Sequence, residues 1–405
     1  MVSDQPEIVS VISLINMITK SIKKNLPELK AFLSLSMPQF VYRIRRFKDI
    51  PVFCFHSAHY EQLKKILEFL KENRYQTLNS EELAQRLHDP NYKNNGRDIV
   101  LTFDDGMGTV WSVAMPLLEE YRQKIVLFVL PGLTPEGKPG KTVADNLDED
   151  NRELVLNRDY LGEPLCNWSE LEAMHKSGLV DIQSHGMYHM LVSTSNRIVE
   201  FIHPDFNTNL YGNIHIPGYN IKGDSNGLCR DFVLGHPVYE SAPRLRGVPR
   251  YKDKTELRLM CAEHVAKNGG KGFFSNNHWR EELNALVAEI VPSDQFESEE
   301  EVEREMRFEL TESKRMLEDR LGKAVSHFCF PWFDYCPKSA ELAKQAGYET
   351  LHVGLEDKTS GLSKDRYPTL IKRMQEEYTL NLPGKGGISL LGVFKQKLNK
   401  KGAAL

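Results

Sequence analysis

From residue 50 onward, short apolar runs alternate with amphipathic stretches. Pro51-Val52-Phe53-Cys54-Phe55 is apolar throughout and ends at His56, and Ile99-Val100-Leu101-Thr102-Phe103 ends at Asp104-Asp105-Gly106. Residues 126–130, 179–184, 327–330 and 349–353 read the same way. Short runs of this kind fit strands buried on both faces, as in a parallel sheet. Between them, apolar residues recur every three or four positions. Leu63, Ile66, Leu67 and Leu70 share one face of a helix over 60–73. Asn79 with Glu82 forms a capping-box pattern that starts a helix over 80–87. Trp168–Lys176 is a helix stopped by Gly178. A long charged helix over 297–321 turns Val302, Met306, Leu310, Leu317 and Leu321 inward and stops at Gly322, and another helix follows over 337–345. This alternation predicts a parallel α/β architecture.

The rhythm breaks twice. Residues 133–165 are rich in Gly, Pro and Asp and read as a long loop, and about 194–276 reads as an insertion with a helix near 254–268. Such a loop inside a compact domain is usually functional. The expected organisation is an amphipathic helical segment over 1–48, a barrel over 49–380 and a basic tail over 381–405.

The net charge of −4 gives no global reason to expect a nucleic-acid partner. The six cysteines are scattered without a CxxC pair, which argues against a disulfide framework or a cysteine zinc site and for reduced thiols in a cytoplasmic protein. The run Ile8 to Ile18, IVSVISLINMI, is too short to span a bilayer. It follows Asp4 and Glu7 and precedes no small-residue cleavage site, unlike a secretion signal. The first 48 residues hold eight Lys/Arg against three Asp/Glu, and Lys395, Lys397, Lys400 and Lys401 make the C-terminus basic. Two readings of these ends stand: peripheral contact with an anionic membrane surface, or helices packed on the body.

Chemistry gathers where the predicted strands end. His56, the pair Asp104-Asp105, and Ser184-His185-Gly186-Met187-Tyr188-His189 all follow apolar runs, and α/β folds place functional groups beyond the carboxyl ends of their strands. His185 and His189 are four apart, a spacing that puts both imidazoles on one face of a helical turn. With a carboxylate from another strand end they form a three-ligand metal set with open positions, as hydrolytic sites require. Two adjacent acids suit a division of labour. One holds the cation, while the other stays unligated and accepts a proton from water. Gly106 gives the backbone freedom to turn both into one crevice. The plainer reading of the acids is a helix cap.

TFDDG followed by SHGMYH resembles the first two motifs of the polysaccharide deacetylases, the NodB-like carbohydrate esterases (family 4). The resemblance extends to IPVFCFH, to NWSELEAMHKSGLVDIQSHG and to FCFPWFDYCPKSAELAKQAGYET, covering about 50–130, 166–193 and 297–375. It implies a distorted (β/α)7 barrel, with Asp104 as general base and Asp105, His185 and His189 holding one divalent metal ion, zinc by expectation. It also implies an oxyanion held by the metal and a backbone N–H near Tyr335 or Cys336. Phe330-Pro331-Trp332-Phe333 replaces the third-motif arginine common in the family, and no late Leu-x-His is evident. Leu370-Ile371-Lys372-Arg373-Met374 is similar to the branch lacking that histidine, where the first-strand histidine is the acid. His56 is therefore favoured over His352 as general acid, and Arg373 is expected to steer Asp104.

The expected activity is removal of an N-acyl group, usually acetyl, from an amino sugar in a precursor of a surface polysaccharide, at a cytoplasmic location with membrane association through the basic ends. The alternatives are a degenerate glycan-binding protein and a hydrolase of a non-sugar linear amide.

Overall fold

The computed structural model describes residues 30, 32–34, 37–42, 49–161, 163–206, 233–355 and 368–399. Most of the expected N-terminal segment, His215 of the insertion, and Lys400 and Lys401 lie outside them.

Among the described residues the strands are β1 (Val52–Phe55), β2 (Gln76–Thr77), β3 (Asp98–Phe103), β4 (Ile125–Val129), β5 (Val180–Ser184), β6 (Leu191–Phe201), β7 (Pro237–Pro243), β8 (His327–Cys329), β9 (Thr350–Gly354) and β10 (Thr369–Gln375). Seven of them close a parallel ring in the order β1-β10-β9-β8-β5-β4-β3, sealed by the β1–β3 pairing, while β2 adds to β3 outside it. This is the distorted (β/α)7 barrel expected from the sequence.

The strands read as continuous apolar runs because both faces are covered. All six residues of β3 are buried. Ile99, Leu101 and Phe103 join the large core between barrel and helices, while Val100 joins a smaller cluster with Val52, Val126, Phe128, Cys329 and Ile371 inside the ring. The alternation follows from the strand's two-residue period. Polar groups share this lumen. Arg373 reaches Thr102 and Cys329 across it, and the His352 ring packs 4.7 Å from that of Phe128.

The helices are α1 (Tyr60–Glu72), α2 (Ser80–His88), α3 (Met115–Tyr121), α4 (Glu149–Leu156), α5 (Arg158–Leu161), α6 (Trp168–Lys176), α7 (Thr255–Lys267), α8 (Trp279–Ala288), α9 (Glu299–Leu321), α10 (Pro337–Gln345) and α11 (Leu390–Asn399). The Asn79–Glu82 capping box is present. A second box, Asn167 with Glu170, starts α6, and Glu170 also holds Arg158 of α5 through two bonds of 2.8 and 3.0 Å. That buried pair ties down the stretch expected as loop over 133–165, which contains α4 and α5.

The described parts of the stretch expected as an insertion over 194–276, residues 194–206 and 233–276, contain regular elements. β6 and β7 pair antiparallel, with register shifts near Ser193 and Ile198. Phe201, Leu257, Cys261, Val265, Phe273 and Leu283 form a core of their own with α7 and α8, so the added elements extend from Leu191 beyond 276. The helix expected near 254–268 is α7, whereas the β6–β7 pair escaped the sequence reading because its register shifts break the two-residue alternation.

Candidate active site

The site lies at the carboxyl ends of β1, β3, β5, β8 and β10. The Asp104 N–H donates to the Phe55 carbonyl at 3.0 Å and continues the β1–β3 ladder by one residue. The chain then reverses. Asp105 and Gly106 both take left-handed conformations, with φ of 68° and 73°. For an aspartate this backbone is uncommon and costs about 1–3 kcal/mol, as strained functional positions do. The reversal separates the two neighbours, and both are buried. Asp104 points into the barrel lumen, and Asp105 points to the histidines.

Asp104 meets a guanidinium fork. Arg373 donates from both terminal nitrogens to its two carboxylate oxygens at 2.7 Å each. A third bond, to Thr102 Oγ1 at 2.9 Å, fixes the fork. Cys54 and Cys329 close the pocket, their Sγ atoms 3.5 and 3.8 Å from Asp104 Oδ2. Burial pushes the Asp104 carboxyl upward, but Arg373 and then His185 outweigh it and hold the group well below the usual carboxylate range. Arg373, expected to steer Asp104, is thus in direct two-bond contact with it.

Asp105 meets two imidazoles. Its Oδ1 lies 3.4 Å from His185 Nε2 and 3.6 Å from His189 Nε2. Burial again raises the carboxyl, and the two histidines more than reverse that. Zinc bonds to nitrogen and oxygen of about 2.0–2.2 Å at tetrahedral angles leave ligand atoms about 3.4 Å apart. The observed separations match that edge, so the three residues fit a divalent cation. The His185 Nδ1–H donates to the Cys329 carbonyl at 2.9 Å, which turns Nε2 toward Asp105.

The two histidines do not meet by helical spacing. Residues 185–189 form no helix. They converge because Gly186 (φ 87°) and His189 (φ 54°) are both left-handed, so the chain loops rather than spirals. The loop is braced by a residue that the sequence reading left out. Glu309 of α9, buried, accepts from the Met187 and Tyr188 N–H groups at 2.7 and 3.2 Å. Its signal was available: a glutamate on the inward stripe of α9, between Met306 and Ser313, is out of place in an apolar face.

His56 follows β1 and is exposed. One of its ring nitrogens, an Asp104 oxygen and Cys54 Sγ lie within 4.8 Å of one another. The turn beneath it is held by Thr109, which accepts from the Ala58 N–H at 2.8 Å and donates to buried Asp159 at 2.6 Å. The other candidate acid, His352, is 0% exposed in the lumen, and neither ring nitrogen has a hydrogen-bond partner among the described residues. Burial, then the charge of Arg373, holds it neutral. Of the two, only His56 is exposed to solvent.

The third-motif stretch forms the rim. Trp332 and Phe333 are left-handed at φ 53° and 56°. The half-buried Trp332 ring lies 3.8 Å from that of His189, and the Phe333 face lies 4.7 Å from the Arg373 guanidinium. Of the two backbone positions expected for an oxyanion donor, Tyr335 and Cys336, the second is engaged elsewhere. The Cys336 N–H donates to Ser339 Oγ at 3.0 Å as the cap of α10 and is not directed at substrate. The arginines of the inserted region are largely engaged too. Arg244 is buried in a two-bond pair with Glu297, which Arg250 also contacts, and Arg246 lies 3.6 Å from Asp334 at the rim.

The polysaccharide deacetylase family model matches residues 91–203, and over them the chain is similar to that family. The match contains both the Asp-Asp and the His-x-x-x-His segments. No curated protein matches the chain. Among solved structures, a de-N-acetylase from Aggregatibacter actinomycetemcomitans is 16% identical with a TM-score of 0.45, over 86% of this chain and 99% of its own. The BpsB deacetylase domain from Bordetella bronchiseptica is 15% identical with a TM-score of 0.46, over 80% and 95%. IcaB from Ammonifex degensii is 13% identical with a TM-score of 0.42, over 83% and 96%.

Proposed function

We propose that this protein is a metal-dependent hydrolase that removes an N-acyl group, acetyl in the simplest case, from an amino sugar of a glycan or glycan precursor. The observation that carries this reading is the pairing of two unlike acids on adjacent residues. Asp105 shares a 3.4–3.6 Å cluster with His185 and His189, while Asp104 is held away from it by Arg373. The similarity of residues 91–203 to polysaccharide deacetylases supports the amide and sugar parts of the reading.

Asp105, His185 and His189 would hold a divalent cation, which would supply Lewis acidity toward an acyl carbonyl and water. Asp104, kept ionised by Arg373, accepts the proton of the attacking water. The guanidinium fork fixes the orientation of its carboxylate. His56, on the solvent side of Asp104, donates a proton to the departing amine nitrogen. Trp332 offers a flat apolar face to a sugar ring at the rim. No described helix is long and apolar enough to cross a membrane. Membrane contact therefore falls to the basic ends, and a cytoplasmic, lipid- or nucleotide-linked precursor is the substrate source we favour.

The test is elemental analysis of wild type and His185→Ala, followed by acetate release from N-acetylated amino-sugar oligomers and nucleotide-linked N-acetyl sugars. One metal ion per wild-type chain, lost in the variant, with acetate release by wild type alone, is expected. A wild type that takes up no zinc, or a metal-loaded protein that releases acetate from none of these sugars, overturns the reading.

A further inference from the structure

We infer that Glu309 is the positioning residue that shapes the His185–His189 loop and thereby sets its affinity for a metal ion. The inference rests on the metal site proposed above and goes beyond it to a residue that touches neither substrate nor ligand atoms.

The loop has an unusual need. It must bring two imidazoles together over five residues without helical hydrogen bonding, and it does so with left-handed backbone at both Gly186 and His189. That geometry turns the successive N–H groups of Met187 and Tyr188 inward, away from any strand or helix ladder. Buried N–H groups must find an acceptor. Both donate to one atom, Glu309 Oε2, at 2.7 and 3.2 Å. Successive N–H groups of this kind form a concave nest that suits an oxygen with negative charge.

The nest and its filler are built for each other. A Cβ at Gly186 would come within 3.1 Å of the same Oε2, so the glycine is needed both for its φ and for the approach of the carboxyl. One helical turn on, Ser313 shares a 2.9 Å bond with Ser184, the last residue of β5. Its hydroxyl also donates to the Glu309 carbonyl at 2.6 Å. Glu309 and Ser313 lie four apart on one face of α9, so the helix grips the strand end and the loop together. The Gly132 N–H, which donates to the Met187 carbonyl at 3.1 Å, holds the loop from its other side. Supporting groups of this kind commonly change metal affinity by about 10- to 100-fold when removed.

The experiment measures zinc affinity by competition with a chromophoric chelator, alongside hydrogen exchange of the loop, for wild type, Glu309→Gln, Glu309→Leu and Gly186→Ala. Glutamine keeps an acceptor oxygen at the same reach. It should retain zinc affinity within about threefold, whereas the leucine and alanine variants lose about 10- to 100-fold. In the leucine variant the Met187 and Tyr188 amides should also exchange faster, while those of β4 stay protected. A leucine variant that binds zinc as wild type does overturns the inference and leaves the hydrolase reading intact. A wild type that binds no zinc overturns both. Should the leucine variant fail to fold, Gly186→Ala tests the same contact from the other side, and unchanged zinc affinity there overturns the inference.

Discussion

Asp104 and Asp105 are consecutive, both buried, and both held below the ordinary carboxylate range, and both feel His185, yet their main partners differ. Asp104 faces a permanent cation. Arg373 occupies both of its oxygens, so the carboxylate is charged, oriented and kept out of a ligand shell. Asp105 faces two imidazoles at distances too long for good hydrogen bonds and right for a shared ion. The difference shows that the chemical role of a carboxylate here is set by which partner its backbone aims it at. One left-handed residue at Asp105 turns the two carboxylates to different partners.

The comparison is broken most severely at Arg373. Replacing it with Met leaves Asp104 as an unpaired buried charge, which costs about 3–5 kcal/mol of stability. Thermal unfolding should show the loss, and activity should fall with it. The double variant Arg373→Met with Asp104→Asn should recover much of that stability without recovering activity. The linkage has a definite sign. Because Arg373 depresses the folded-state value of Asp104, this contribution is present above the unfolded value of about 4 and fades as pH falls below it. The Arg373→Met variant should therefore lose part of the wild type's acid-limb steepness in a pH–stability scan.

A weaker perturbation acts on the solvent side of Asp104. His56→Gln should retain its metal and lose about 10²-fold in kcat on amide substrates. On an activated acetyl ester, whose leaving group needs no proton, the loss should be small. An equal loss on both substrates would remove His56 from the acid role.

The smallest expected effect lies behind the Asp105 side. Burial raises the Glu309 carboxyl from 4.5 to about 7, against the pull of the Met187 and Tyr188 N–H groups and Arg244 and with some push from Glu305. A raised carboxyl favours the folded state while protonated. Wild-type stability from this group is therefore full below about 4.5 and declines as pH rises through about 7, by up to about 3 kcal/mol. Glu309→Gln should flatten that decline in urea unfolding measured across pH 4.5 to 8.

Much of this was legible before any coordinates. The buried strands announced themselves as apolar runs, and the polar residues that close them, His56, Asp104, Asp105, His185 and His189, do converge on one end of the barrel. What could not be read was how they converge. The His185–His189 spacing suggested a helical turn, whereas two left-handed residues do the work, and only one of them is a glycine. The Cys336 amide was open to an oxyanion role in sequence but is consumed by Ser339, a contact fixed by the cap of α10. Glu309 is 120 residues beyond the loop it braces, so no local pattern links the two. In the inserted region the helix near 254–268 was legible, but the strand pair and the core were not, because the strands carry register shifts and the core is assembled from single residues far apart in sequence.

The central claim is the division of labour between the two aspartates, and it is tested most directly by metal content and turnover measured together on Asp104→Asn and Asp105→Asn. The account predicts that Asp104→Asn keeps one ion per chain and loses about 10²–10⁴-fold in kcat, while Asp105→Asn loses the ion itself. An Asp104→Asn protein that comes out metal-free, or an Asp105→Asn protein that binds its ion as wild type does, would contradict it.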